Sequence, residues 1–207
     1  MRIVSNDAAK LLIGTRNESK KKEIGELLSE IPIQLVTLVD IGIDDEVEED
    51  GQTFEENAIL KAEGYGRLSG LLTLADDSGI EVDALGGRPG VFSARYAGLN
   101  ATDEERNKML MSELVNVPDN ERTARFRCVV ALWSPKTGVS STYEGRVEGF
   151  IARRPQGNNG FGYDPIFFSE EIGKTLAQIP ATMKHRISHR GKAMKKAKVK
   201  LVDSLKD

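Results

Sequence analysis

Apolar positions change period repeatedly along the chain, and each change marks an element. Lys10-Leu11-Leu12-Ile13-Gly14-Thr15 is a short apolar run with the signature of a buried strand. Ile24, Leu27, Leu28 and Ile31 then recur at helical spacing until Pro32 closes the segment. Ile33 to Val39 predicts a second strand. Polar positions take over from Asp44 to Asp50, where six acids surround only Val47. Thr53-Phe54-Glu55-Glu56 is a capping box, and Phe54, Ala58, Ala62 and Tyr65 follow it at helical spacing. Leu71 to Ala75 predicts a strand ending in a turn at Asp76-Asp77-Ser78-Gly79, with a short strand from Ile80 to Leu85 beyond it.

The second half repeats the same vocabulary. Thr102-Asp103-Glu104-Glu105 opens a helix carrying Leu110, Leu114 and Val117. Ala124 to Ser134 and Ser140 to Val147 predict two long strands of a hairpin. A glycine-rich loop, Gly157-Asn158-Asn159-Gly160-Phe161-Gly162, precedes a last helix with Met194, Ala197, Leu201 and Leu205 on one side. Strand-helix-strand units alternate with antiparallel-looking pairs, so the expected class is α/β with a mixed sheet.

Composition narrows the function without naming it. The 207 residues fit one large domain or two intimate lobes, with residues 1–9 expected as a flexible leader. Hydrophobic residues make up 39%, enough for a core. A formal net charge of −3 supplies no global field for a nucleic acid, which points to a small ligand. The one cysteine, Cys128, forms no intrachain disulfide and sits in an apolar run, where a buried strand thiol is expected. That run is too short for a bilayer, and the first residues lack a signal core, so the expectation is a cytoplasmic protein.

Four segments carry groups suited to chemistry. Thr15-Arg16-Asn17-Glu18-Ser19-Lys20 joins the first strand to the first helix, a junction that aims backbone N–H groups at an anion. An ordinary capped turn explains it equally from local sequence. Asp76-Asp77 presents two adjacent carboxylates that cannot face one way in a strand, so one can hold a hard cation and the other can activate water. A plain Asp-Ser-Gly turn is the alternative. Phe161-Gly162-Tyr163-Asp164-Pro165 combines close backbone approach with aromatic rings. The stretch from Lys184 to Lys200 is strongly basic and contains both histidines, His185 and His189.

These segments recur in a fixed order with Thr53-Phe54-x-Glu56-Asn57-Ala58, Leu85-Gly86-Gly87-x-Pro89-Gly90-Val91-x-Ser93-Ala94-Arg95-Tyr96 and Ser188-His189-Arg190-Gly191-Lys192-Ala193. From Leu11 to the last helix the chain resembles the inosine/xanthosine triphosphate pyrophosphatase family, also called Ham1-like. The resemblance implies a two-lobed α/β fold around a long twisted mixed sheet, an inter-lobe nucleotide cleft and a homodimer. It implies Mg²⁺-dependent hydrolysis of deaminated purine triphosphates (ITP, dITP, XTP) to the monophosphate and pyrophosphate. By motif position, Thr15, Arg16, Asn17, Glu18, Ser19 and Lys20 would hold phosphates, with Lys20 also aiding catalysis. Asp77 would be the catalytic carboxylate and metal ligand beside Asp76. Glu48 would share the metal, its register blurred by Glu49. Ser78, Phe161, Gly162, Tyr163, Asp164, Lys184, His189 and Arg190 would contact the nucleotide. Arg16 stands where many members have Gly, and Asn158-Asn159 replaces a common Thr-Gly. A catalytically idle nucleotide sensor is the rival reading.

Overall fold

A computed structural model describes residues 9–204. Its strands form one seven-stranded mixed sheet of order β2-β1-β3-β4-β5-β6-β7. They are β1 (Lys10–Ile13), β2 (Gln34–Thr37), β3 (Leu72–Val82), β4 (Thr123–Trp133), β5 (Ser140–Ile151), β6 (Phe167–Ser169) and β7 (Lys174–Thr175). The helices are α1 (Glu18–Leu28), α2 (Phe54–Ser69), α3 (Asp103–Glu113), α4 (Ala181–Ile187) and α5 (His189–Ser204). β1 pairs in parallel with both β2 and β3, whereas β6 runs antiparallel to β5 and to β7.

The chain forms two compact units. The first runs through Asp77 and takes up Val129–Glu144 and the segment from Ala193 onward. Here β1-α1-β2-α2-β3 is a parallel unit whose central strand β1 is buried from Leu11 to Ile13, as expected where helices cover the sheet. Leu12, Val36, Leu38 and Tyr65 pack together, with Ile41, Ile43, Val47 and Leu71 against them. α2 begins at the expected capping box, Thr53 accepting from Glu56 N–H and Glu56 reaching back to Thr53 N–H. A Cβ on its Gly66 would fall 2.2 Å from Trp133, so glycine there lets α2 lie close on the indole.

The second unit comprises Ser78–Cys128 and Gly145–Lys192. Its core gathers Ile80 and Val82 of β3, Leu110 and Leu114, Phe126 of β4, and Ile166 and Phe167. The Thr102 capping box opens α3 as expected, but the helix stops at Glu113, short of Leu114 and Val117. Cys128 is buried in β4. Among the described residues, no helix is long and apolar enough to cross a membrane.

Several boundaries differ from the sequence reading, each for a physical reason. Asp76-Asp77-Ser78-Gly79 is not a turn: β3 runs unbroken from Leu72 to Val82. These residues have turn composition, but they continue a strand that β1 pairs at Leu72–Leu74 and that neighbours β4 in the sheet, and that tertiary setting overrides local preference. The segment expected as a strand up to Val39 ends at Thr37, and Val39–Ile41 forms a 3₁₀ turn closed by Gly42 at φ 68°. β5 extends past Val147 to Ile151. β6, β7 and α4 were not anticipated; they are only three, two and seven residues long, too short for a period to show. Met194, Ala197 and Leu201 are buried along α5, while Leu205 lies outside the described residues.

Candidate active site

In the first unit, two consecutive carboxylates of β3 meet two lysines from different helices. The steps β1-α1-β2 and β2-α2-β3 run in opposite directions across the sheet, and right-handed crossovers then place α1 and α2 on opposite faces. Neighbouring strand residues point to opposite faces. Asp76 accordingly meets Lys20 of α1, 3.3 Å from its Oδ2, and Asp77 meets Lys61 of α2, 3.1 Å from its Oδ1. Both aspartates are buried.

Lys61 also donates to Glu49 at 2.7 Å, and Asn57 Nδ2 lies 3.4 Å from Asp77 Oδ2. Burial pushes the Asp77 carboxyl above its ordinary value, against the pull of Lys61 and Lys20. Burial pushes Lys61 down, but the carboxylates of Asp77, Glu49 and Asp76 outweigh it and hold the ammonium above its ordinary value. Two lysines face three carboxylates, a surplus of one negative charge.

Oxygen ligands with surplus negative charge suit a hard divalent cation, which needs few carboxylates and keeps waters of its own. Among the described residues no cluster of three or more His, Cys, Asp or Glu side chains could by itself hold a metal ion. The set therefore fits a cation shared with phosphate oxygens rather than an all-protein cage. Glu49 is the acid of the 44–50 loop that reaches this cluster; Glu48 is exposed on the same loop. That loop is pinned on α2 through Gly51 N–H to Asn57 Oδ1 at 2.9 Å and Val47 N–H to the Tyr65 hydroxyl at 3.4 Å.

The loop from Thr15 to Lys20 is pre-shaped. Asn17 caps α1 by accepting from Lys20 N–H at 3.0 Å, which leaves its Nδ2 as a donor. Thr15 Oγ1 accepts from Asn17 N–H at 3.3 Å. Glu18 and Ser19 open the helix, and Glu18 pairs with Lys21. Arg16 turns to the acidic loop and donates to the carbonyls of Asp45 at 2.9 Å and Ile43 at 3.2 Å.

The second unit holds a different cluster. Phe161 lies under two cations, Lys184 Nζ at 4.7 Å and the Arg190 guanidinium carbon at 5.6 Å from the ring centre. Arg190, 1% exposed, donates to the Ser78 hydroxyl at 2.8 Å. Lys184 donates to Asp164 Oδ2 at 2.5 Å, and Phe161 N–H donates to the same oxygen at 2.9 Å. His189 stacks on Phe126, ring centres 4.6 Å apart, at the start of α5. Tyr163 is in the core, with its hydroxyl donating to Ser93 C=O at 2.8 Å. Buried cations beside an aromatic face suit a flat, polar-edged ring.

The structure thus brings Lys20, Asp76 and Asp77 together in one unit. It groups Ser78, Phe161, Asp164, Lys184 and Arg190 in the other. Lys61 escaped the sequence reading, and Asn57 entered it only as a motif position with no role assigned. A signal was present: both fall on the apolar stripe of α2 marked by Phe54, Ala58, Ala62 and Tyr65, where a solvated lysine does not belong.

The model of the Ham1 family matches residues 11–200. A dITP/XTP pyrophosphatase of Geobacter sulfurreducens is 51% identical over 185 residues, 89% of this chain and 92% of that protein. A dITP/XTP pyrophosphatase of Bacillus subtilis is 46% identical, covering 89% and 93%. The solved HAM1 protein from Coxiella burnetii superposes with a TM-score of 0.85 at 41% identity, over 94% of this chain and 99% of that one.

Proposed function

The chain belongs to the Ham1 family, and on that premise we propose that it hydrolyses deaminated purine nucleoside triphosphates to the monophosphate and pyrophosphate. The observation that carries this reading is the buried pair Asp76–Asp77, each held by its own lysine. With Glu49, which shares Lys61, the cluster has one more carboxylate than lysines, and that surplus negative charge repels a triphosphate unless a cation joins it. An idle nucleotide sensor has no use for such a cluster, whereas a hydrolase does.

Thr15 to Lys20 receive the phosphates, with the backbone N–H groups at the start of α1. Nucleotide pyrophosphatases generally need a divalent metal. Mg²⁺ held by Asp77 and the Glu48–Glu49 pair would supply charge neutralisation on the phosphates and acidify a bound water. Lys61 holds Asp77 in place and opposes the upward pull of burial on its carboxyl. Asp77, with Asp76 beside it, accepts the proton of the water that attacks the α-phosphorus. Lys20, now paired with Asp76, offers its charge to the departing pyrophosphate.

Arg190, Lys184 and the Phe161 loop read the base. Hypoxanthine and xanthine present an oxo acceptor at position 6, which a permanent donor such as Arg190 satisfies. Adenine presents a donor there, and a buried donor facing a donor is rejected strongly. The protein acts as a homodimer on the nucleotide pool of the cytoplasm, without nucleic acid, in keeping with its net charge of −3.

The test is pyrophosphate release from ITP, dITP, XTP, GTP and ATP, with and without Mg²⁺. Preferential release from the first three, dependent on Mg²⁺, supports the reading. Equal turnover of all five, or turnover unaffected by chelation, defeats it.

A further inference from the structure

One glycine of the base loop is gripped from both sides by α3. Gly162 N–H donates to Asp103 Oδ2 at 2.6 Å, and Gly162 C=O accepts from Asn107 Nδ2 at 3.0 Å. Asp103 and Asn107 are four residues apart, one helical turn, so they share a face of α3. Asp103 is the first residue after the Thr102 cap and is braced by Arg106. Gly162 itself has φ 63°, a left-handed conformation that an ordinary side chain would oppose. The helix therefore fixes the donor and the acceptor of a residue that its own backbone leaves unusually free.

What hangs on Gly162 is the recognition cluster. Phe161, one residue before, is the ring under Lys184 and Arg190. Asp164, two residues after, binds Phe161 N–H and Lys184. A shift at Gly162 moves the ring and the carboxylate that aims Lys184 together. Asn107 is 5% exposed, and its Oδ1 has no hydrogen-bond partner among the described residues. An apolar residue would avoid that uncompensated acceptor. The amide is kept for its Nδ2, which meets the Gly162 carbonyl.

We infer that Asp103 and Asn107 are positioning residues that set base selectivity by clamping Gly162, a reading that rests on the base pocket proposed above. They act through the loop and touch no reacting atom. A loosened clamp lets Phe161 and Lys184 drift by a fraction of an ångström. Discrimination between hypoxanthine and guanine, which differ only at position 2, is the property most sensitive to that drift.

The experiment compares kcat/KM for ITP and GTP in wild type, Asp103→Ala, Asn107→Ala and Asp103→Asn, with inhibition by inorganic triphosphate as a second readout. Asp103 has a half-exposed side chain, so Asp103→Ala folds even if Asn107→Ala does not. The two alanine variants are expected to lose about tenfold in the ITP-to-GTP ratio, a fraction of the hundredfold that an ångström of misplacement can cost. Inorganic triphosphate should inhibit them as it does wild type, because the phosphate loop is untouched. Asp103→Asn keeps an oxygen acceptor for Gly162 N–H and should keep the wild-type ratio. A selective wild type with an unchanged ratio in Asp103→Ala, or an equal fall for both triphosphates, overturns the inference alone. A wild type that does not prefer ITP overturns it together with the function proposed above.

Discussion

Replacing Lys61 by methionine removes the cation that, among the described residues, pairs with both Glu49 and Asp77, while filling nearly the same volume. The usual cost of orphaning a buried charge is about 3–5 kcal/mol. Here the ceiling is set by protonation, since Asp77 can take up a proton instead of standing charged. For a carboxyl of ordinary value 3.8, being neutral costs at most about 4 kcal/mol at pH 7 and about 1.5 kcal/mol at pH 5. The sign follows from linkage. Burial already raises Asp77, and losing Lys61 raises it further. A carboxyl raised in the folded state contributes fully below its unfolded value, and the contribution is lost as pH rises through the folded value. Lys61→Met should therefore be destabilised by several kcal/mol near pH 7.5 and clearly less near pH 5. The assay is urea unfolding of both proteins at the two pH values in EDTA. Adding Mg²⁺ should then stabilise the variant more than wild type. An equal loss at both pH values would show that Asp77 does not carry the effect.

Other perturbations separate the remaining roles. Glu48→Gln and Glu49→Gln should each raise the Mg²⁺ concentration for half-maximal rate by about tenfold or more, as disturbing a metal site usually does; an unchanged requirement takes that acid away from the metal. Arg190→Ala should lower kcat/KM for ITP by about ten- to a hundredfold, the worth of a hydrogen bond to a charged group, and lower it less for ATP; an equal fall would move Arg190 from base recognition to phosphate or fold. Gly66→Ala drives a methyl to 2.2 Å from Trp133 and should cost about 2–3 kcal/mol, lowering Tm by about 5–10 °C; a thermal melt matching wild type would contradict the close packing of α2 on Trp133.

The two capping boxes show what local sequence can specify. Thr53 and Thr102 each satisfy a helix N-terminus with a glutamate three residues on, so the start of α2 and of α3 could be read directly. Asn17 and Ser188 cap their helices without such a glutamate, accepting from Lys20 N–H and Gly191 N–H. The adjacency of two carboxylates at Asp76–Asp77 was legible, but its setting was not. The strand through Asp-Asp-Ser-Gly continues β3, whose place between β1 and β4 in the sheet no local signal reports. Lys61 was hidden by residue type, since a lysine within a helix ordinarily faces water. Its place on the buried stripe gains meaning once α2 is laid against β3 and Asp77 comes within 3.1 Å. The grip of Asp103 and Asn107 on Gly162 joins residues 59 and 55 positions apart, beyond the reach of any spacing rule. Arg16 stood out as a departure from a common glycine, and its bonds to the acidic loop required coordinates to see.

Cleavage of the α–β phosphoanhydride with Asp77 as the catalytic carboxylate fixes the products of ITP. Incubation with Mg²⁺ followed by anion-exchange separation should give IMP and pyrophosphate in equal amounts, with no IDP and no initial orthophosphate. Asp77→Asn, folded by circular dichroism, should give neither product at a measurable rate. IDP with orthophosphate, or an Asp77→Asn protein that turns over within a few fold of wild type, would contradict the account.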